Sequence, residues 1–318
     1  MMMRNLKRLG NFHIPIPTDE DGLVGRECPI PECLGYFKVK FGTGLKGENL
    51  PCHCPYCGQT AGQDRFWTHE QNEYIQSVAS NKINFALKED FQEWDRELRR
   101  STRNSWIKLS LDYKEHSQPI RYYREKELET KVTCEVCTLE YAIYGVFAYC
   151  PDCGTHNSLQ ILKKNLELAE KEIALAETIQ DKDMRDHLIA DALENAVSAF
   201  DGFGRETCKV FRDKATNPNQ AENVSFQNLI KARTTIQTNF GFDLADGLTS
   251  DQWDFVCRCF QKRHLIAHKM GVVDEAYKKV VKDSSAVVGR KVTIQSDEVK
   301  QLIQLCVKIG EQIQKSLK

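Results

Sequence analysis

The placement of the cysteines restricts the fold of this chain more than any other feature. There are thirteen, and nine fall in two tight groups: Cys28, Cys33, Cys52, Cys54 and Cys57, then Cys134, Cys137, Cys150 and Cys153. The opening MMMRNLKRLGNFHIPIP has basic residues but no continuous apolar core, so a cleaved secretory leader is not expected. Short paired spacings in such a chain point to thiolate-bound metal rather than disulfides, and a reducing cytoplasm is the expected compartment. Tetrahedral zinc needs four soft or borderline ligands, and two turns bearing two thiolates each supply them.

In the first group, CPIPEC leads into GYFKVKFGTGLKG, an alternating, glycine-rich run that suits a β-hairpin, and then into CHCPYCG. This is a zinc-ribbon layout. We assign Cys28, Cys33, Cys54 and Cys57 as ligands because CPYCG makes the better turn; Cys52 or His53 stands close enough to substitute, and the sequence leaves that choice open. In the second group, CEVCTLEYAIYGVFAYCPDCG carries Cys134, Cys137, Cys150 and Cys153, with a hairpin turn expected near 144–145. Two structural zinc ions are therefore expected. Residues 69–100 read as a helix, with apolar positions spread among charges and no Pro or Gly. Residues 104–125 hold SWIKLSLDY and PIRYYRE, aromatic and β-branched runs that read as strands. Arg121, Tyr122, Tyr123 and Arg124 interleave base and aromatic as a single-strand nucleic-acid surface does, although Glu125, Glu127 and Glu129 dilute the patch. The ribbons act either as structural modules or as recognition surfaces for nucleic acid or a protein partner.

From Ser158 the chain turns helical. Leu159, Leu162, Leu166, Ala169, Ile173 and Ala176 form one apolar stripe, as in a helix packed on its own domain. A long helix follows from about 184 to 214, with the glycines of DGFG expected to kink it. A second helix is expected over 225–239. A third opens at Thr249 with a Thr249/Gln252 capping box and stops at Gly271, and the last runs from 297 to the end. The expected fold is α+β and multidomain: ribbon 1 over 1–68, a helical connector over 69–103, strands and ribbon 2 over 104–157, a linking helix over 158–183 and an all-α bundle over 184–318. Cys208, Cys257, Cys259 and Cys306 fit that bundle as small core hydrophobes. A net charge of −1 leaves nucleic-acid contact to local patches, and no apolar run is long enough to span a membrane.

One short stretch, QKRHLIAHKMG at 261–271, gathers acid–base and phosphate-binding chemistry. Arginine offers a rigid fork of donors for phosphate oxygens, and histidine exchanges protons near neutral pH. His264 and His268 are four apart and share a helix face. Between 258 and 269 there are four Lys or Arg and no acid. A histidine pair with a cation is what metal-independent RNA cleavage requires. The plainer readings are surface histidines, or an HxxxH metal site that has no nearby Glu to complete it.

RHLIAH resembles the Arg-polar-x3-His motif of HEPN-domain ribonucleases, and the helical order of 184–318 is similar to theirs: a long kinked helix, the motif on a third helix, GVVDEAYKKV, VTIQSDEV and a final amphipathic helix. The resemblance implies that Arg263 and His268 are catalytic, and that His264 holds the polar position that orients them. It further implies metal-free RNA cleavage by a homodimer formed through the helical domain, in proteins that often serve as toxins or antiviral effectors. Glu194 or Asp201 on the long helix is a candidate contributor. The competing expectation is a non-catalytic zinc-ribbon adaptor that binds nucleic acid or a partner protein.

Overall fold

The computed structural model describes residues 3–317 apart from 11, 48, 105, 115–117 and 129. Ser105 of the expected strands, Glu129 of the acidic run and Lys318 of the final helix lie outside the described residues, as do 1, 2 and 11 of the lead-in. The chain divides into two compact units, Met1–Thr155 and His156–Lys318.

The first unit is built on antiparallel strands. β1 (Leu23–Glu27), β2 (Tyr36–Lys40), β6 (Glu140–Ile143) and β5 (Thr130–Thr133) form one sheet in the order β1-β2-β6-β5, while β3 (Pro51–His53) and β4 (Thr60–Gly62) form a separate pair. The hairpins that carry the 28–33 and 134–137 turns therefore share one sheet, while the 54–57 turn belongs to the separate pair. The hairpins also differ from expectation. β1 and β2 pair across 28–33, β3 and β4 across 54–57, and β5 and β6 across 134–137, so the cysteine turns are themselves the hairpin turns. Residues 144–145 follow β6 and do not join a strand pair. The reason is local: a two-cysteine turn already reverses the chain, so the alternating run over 35–47 supplies one strand instead of two. Phe37, Phe66, Tyr141 and Ile143 fill the core beneath the sheet.

Two helices complete this unit. α2 (His69–Ser101) opens with a reciprocal Thr68/Gln71 capping box, and Gln71 also donates to the Gly25 carbonyl of β1 at 2.8 Å. The short α1 (Arg4–Leu9) is held by Asp90 of α2, whose buried carboxylate accepts the Asn5 and Leu6 amides at 2.9 and 3.0 Å. The described residues of 104–125 contain no strand, which corrects that expectation. Three of their tyrosines pack on α2 instead: Tyr113 stacks on Phe91, and Tyr122 and Tyr123 both approach Tyr74.

The second unit is all helical: α3 (Ser158–Thr178), α4 (Lys182–Val210), α5 (Pro218–Glu222), α6 (Leu229–Phe240), α7 (Ser250–Lys269), α8 (Glu275–Val280) and α9 (Ser296–Leu317). The stripe of Leu162, Leu166, Ala169, Ile173 and Ala176 is buried against α4 and α9, so α3 belongs to the bundle rather than linking to it. α4 runs through Gly202 and Gly204 without a break. A Cβ at Gly204 would sit 2.4 Å from the Phe226 ring, so that glycine admits an aromatic side chain against the helix backbone. α7 has the expected Thr249/Gln252 capping box and ends on left-handed Met270 and Gly271. Cys208, Cys257, Cys259 and Cys306 are all buried, and burial pushes the thiols of Cys208, Cys257 and Cys259 up to about 12. Among the described residues no helix is long and apolar enough to cross a membrane.

Candidate functional site

The sulfurs of Cys28, Cys33, Cys54 and Cys57 lie within 4.8 Å of one another, as do those of Cys134, Cys137, Cys150 and Cys153. Tetrahedral zinc with thiolates at about 2.3 Å requires sulfur–sulfur separations of about 3.8 Å. The Cys28–Cys57, Cys33–Cys54 and Cys134–Cys153 pairs stand at 3.7 Å and Cys137–Cys150 at 3.4 Å, so both donor sets fit such an ion. Burial raises the Cys28 and Cys137 thiols to about 11 and lifts Cys54 and Cys150 further. Burial acts the same way on Cys57 and Cys153, but hydrogen bonds from Gln59 and Thr155 hold these two below the ordinary thiol value. Four thiolates at this spacing repel one another unless a cation sits between them.

Each cysteine turn closes in the same way. Gly58 N donates to Cys54 O, Thr138 N to Cys134 O and Gly154 N to Cys150 O, each at 2.9 Å. The residue after each second cysteine is left-handed: Leu34, Gly58, Thr138 and Gly154. The first turn carries two extra residues, so the Leu34 amide bonds to Ile30 O while Cys28 sits farther back.

Two of these turns pack against each other with reciprocal contacts. His53 N donates to Pro151 O at 2.8 Å and Tyr149 N to Pro55 O at 2.9 Å. A Cβ on Gly58 would meet the Tyr149 ring at 3.0 Å, and one on Gly154 would meet the His53 ring at 3.1 Å. Each residue before a ligand thus packs on the glycine that closes the other turn. This local two-fold relation joins the two clusters and was not legible from either cysteine group alone. It also decides the open ligand choice. His53 packs on Gly154 and bonds to Thr60 Oγ1 at 2.8 Å, and the buried Cys52 lies outside both clusters.

On α7, the rings of His264 and His268 lie 4.8 Å apart at the protein surface. They line a groove of about 820 Å³ with Gln261, and Asn228, Lys231, Thr234 and Thr235 from α6 and its approach line it as well. Burial depresses the pKa of His264, followed by the nearby His268, Lys269 and Arg263, while Asp274 opposes them. Arg263 is not in the groove wall. Its side chain is 11 % exposed, and its guanidinium donates to Glu194 at 3.3 Å and to Gln227 at 3.5 Å, with Nε buried and unpaired. Gln227 is itself a groove residue and also donates to Asp201 at 3.2 Å. Asp201 mainly fixes the loop after α5, accepting the Phe226 amide at 2.6 Å. Glu194 is therefore the direct partner of Arg263, and Asp201 acts one link away.

The acid-free run over 258–269 is not an unpaired basic patch in space. Lys262 is buried on Glu298, Lys269 pairs with Asp274 and Arg263 with Glu194; Arg258 lies over the Phe255 ring. The neutralising acids come from other elements, which a sequence window does not contain. The interleaved patch at 121–124 is likewise partly engaged, since Arg121 pairs with Glu73.

No family model, curated protein or solved structure matches this chain. Its function therefore rests on the geometry of its own side chains.

Proposed function

We propose that the chain is a metal-independent RNA endonuclease of the HEPN type that works as a homodimer through its helical unit, with the tetracysteine unit holding two structural zinc ions and serving recognition or regulation. The observation that carries this reading is the imidazole pair: two exposed rings 4.8 Å apart, facing a groove lined by the amine and hydroxyl groups of α6. One imidazole takes the 2′-OH proton, the 2′-oxygen attacks phosphorus, and the 5′-oxygen leaves as it receives a proton, giving a 2′,3′-cyclic phosphate and a 5′-hydroxyl. The depressed pKa of His264 keeps that ring neutral and able to accept a proton. Lys231 contributes positive charge to the groove. Arg263 steadies the phosphorane charge, through Gln227 while it stays on Glu194 and directly once it is released. One copy presents half of such a site, and a second copy meeting it across the groove supplies the rest. A toxin or antiviral role suits an enzyme of this kind.

The pairing of Arg263 with Glu194 also supports a second reading, in which the helical unit is an assembly module and the chain a non-catalytic adaptor. A cleavage assay separates the two. His268→Ala and Arg263→Ala are expected to abolish shortening of RNA without altering the fold, and brief EDTA treatment to leave the rate unchanged. Full cleavage by either variant rules out the nuclease reading.

A further inference from the structure

Residues 106–114, WIKLSLDYK, alternate as a strand does; 106 and 107 lie in bends, and 108–114 join no ladder. Trp106, Ile107, Leu109 and Leu111 are exposed. One side of this segment is anchored to the end of α2. The Leu109 amide donates to Thr102 Oγ1 at 3.3 Å, the Leu111 amide donates to Asp95 Oδ1 at 2.8 Å, and Tyr113 stacks on Phe91 at 4.8 Å. In extended backbone, alternate residues direct their amides to opposite sides of the strand. Anchoring residues 109 and 111 leaves the amides of Lys108, Ser110 and Asp112 for the other edge, where they have no partner among the described residues.

The sequence complements itself about Ser110. Antiparallel pairing with a second copy centred there sets Lys108 opposite Asp112 and Leu109 opposite Leu111. We infer that residues 108–112 of two copies pair as antiparallel strands about a two-fold axis at Ser110. The outward amides of residues 108, 110 and 112 then form the hydrogen-bonded pairs. Lys108 and Asp112 meet twice, once on each side of the axis, and the aliphatic residues share one face. Charge complementarity selects the occupant: an unrelated strand has no reason to present Asp and Lys at these two positions, whereas a second copy always does. Two strands alone are marginal, and α2 behind each copy supplies the backing they need. The pairing closes an edge that would otherwise invite open-ended association. It lies in the first unit and does not depend on the nuclease reading.

The test uses the full chain. Under mild oxidation, Ser110→Cys is expected to give a disulfide joining two copies of the tryptic peptide 109–114, detected by mass spectrometry, because hydrogen-bonded pairs bring Cα atoms to about 5.5 Å, within disulfide range. Trp106→Cys, far from the axis, is expected not to link to itself. In the Ser110→Cys background, Lys108→Asp or Asp112→Lys should cut the yield about tenfold, and the double charge swap should restore it. No linkage at 110, equal linkage at 106, or a double swap as poor as the single changes would each overturn the pairing. Linkage at 110 reads this interface directly, even if the helical units also associate.

Discussion

At the residue scale, the central pair is His264 and His268, and the first prediction is a titration. The His264 ring is expected to titrate below the ordinary histidine value of 6.5, since burial and then the charges of His268, Lys269 and Arg263 all disfavour its cation. Arg263→Gln should move that titration upward in an NMR pH series, whereas an unchanged midpoint at or above 6.5 would contradict the assignment. His156 gives a second prediction. Burial lowers its pKa to about 4, and Nδ1 accepts the Ser158 amide at 3.3 Å. The folded state therefore binds the proton less readily than the unfolded chain. The stability this histidine contributes is full above 6.5 and is lost as pH falls towards about 4, by up to roughly 3 kcal/mol. In parallel denaturant titrations, His156→Gln should flatten this part of the pH dependence; an identical loss in both proteins would show that His156 does not carry it. The histidines were legible in the sequence because four-residue spacing fixes a shared helix face. The state of Arg263 was not, because Glu194 and Gln227 lie 69 and 36 residues away in the chain.

At the element scale, the cysteine turns decide the first unit. Their spacing marks the second ligand set and leaves Cys52 or His53 open in the first, and the strand pairing was misplaced because the turns are the hairpin loops. The reciprocal packing of the turns at 54–57 and 150–153 couples the two clusters. Cys150→Ser is therefore expected to lower bound zinc at both clusters, from two ions per chain to fewer than one, as read by elemental analysis after dialysis. Retention of one tightly held ion would show independent sites. Cys52→Ser should keep both ions. In the second unit, Gly204→Ala drives a methyl into the Phe226 ring and should destabilise the fold by about 1–3 kcal/mol, measured by denaturant unfolding. A neutral result would show that α4 gives way at that point. The glycine was visible in the sequence, but its close contact depends on a residue that returns from a later loop.

At the scale of the whole molecule, a unit bearing two tetracysteine clusters precedes a helical one, and the proposed chemistry sits on the second. The helices followed from their apolar stripes and the start of α7 from its capping box, which are local signals, whereas α4 ends at Val210 rather than near 214 and α6 begins at Leu229 rather than at 225. The strands of 104–125 failed as a reading because alternation marks a capacity to pair, and among the described residues this segment has none to pair with; a second copy supplies it. The measurement that bears most directly on the nuclease reading is the product end formed when purified protein acts on a defined RNA in the presence of EDTA. The expected result is new fragments ending in 2′,3′-cyclic phosphate, formed by the wild type and absent with His268→Ala and Arg263→Ala. Intact RNA under every condition, or the same fragments from the variants, would contradict it.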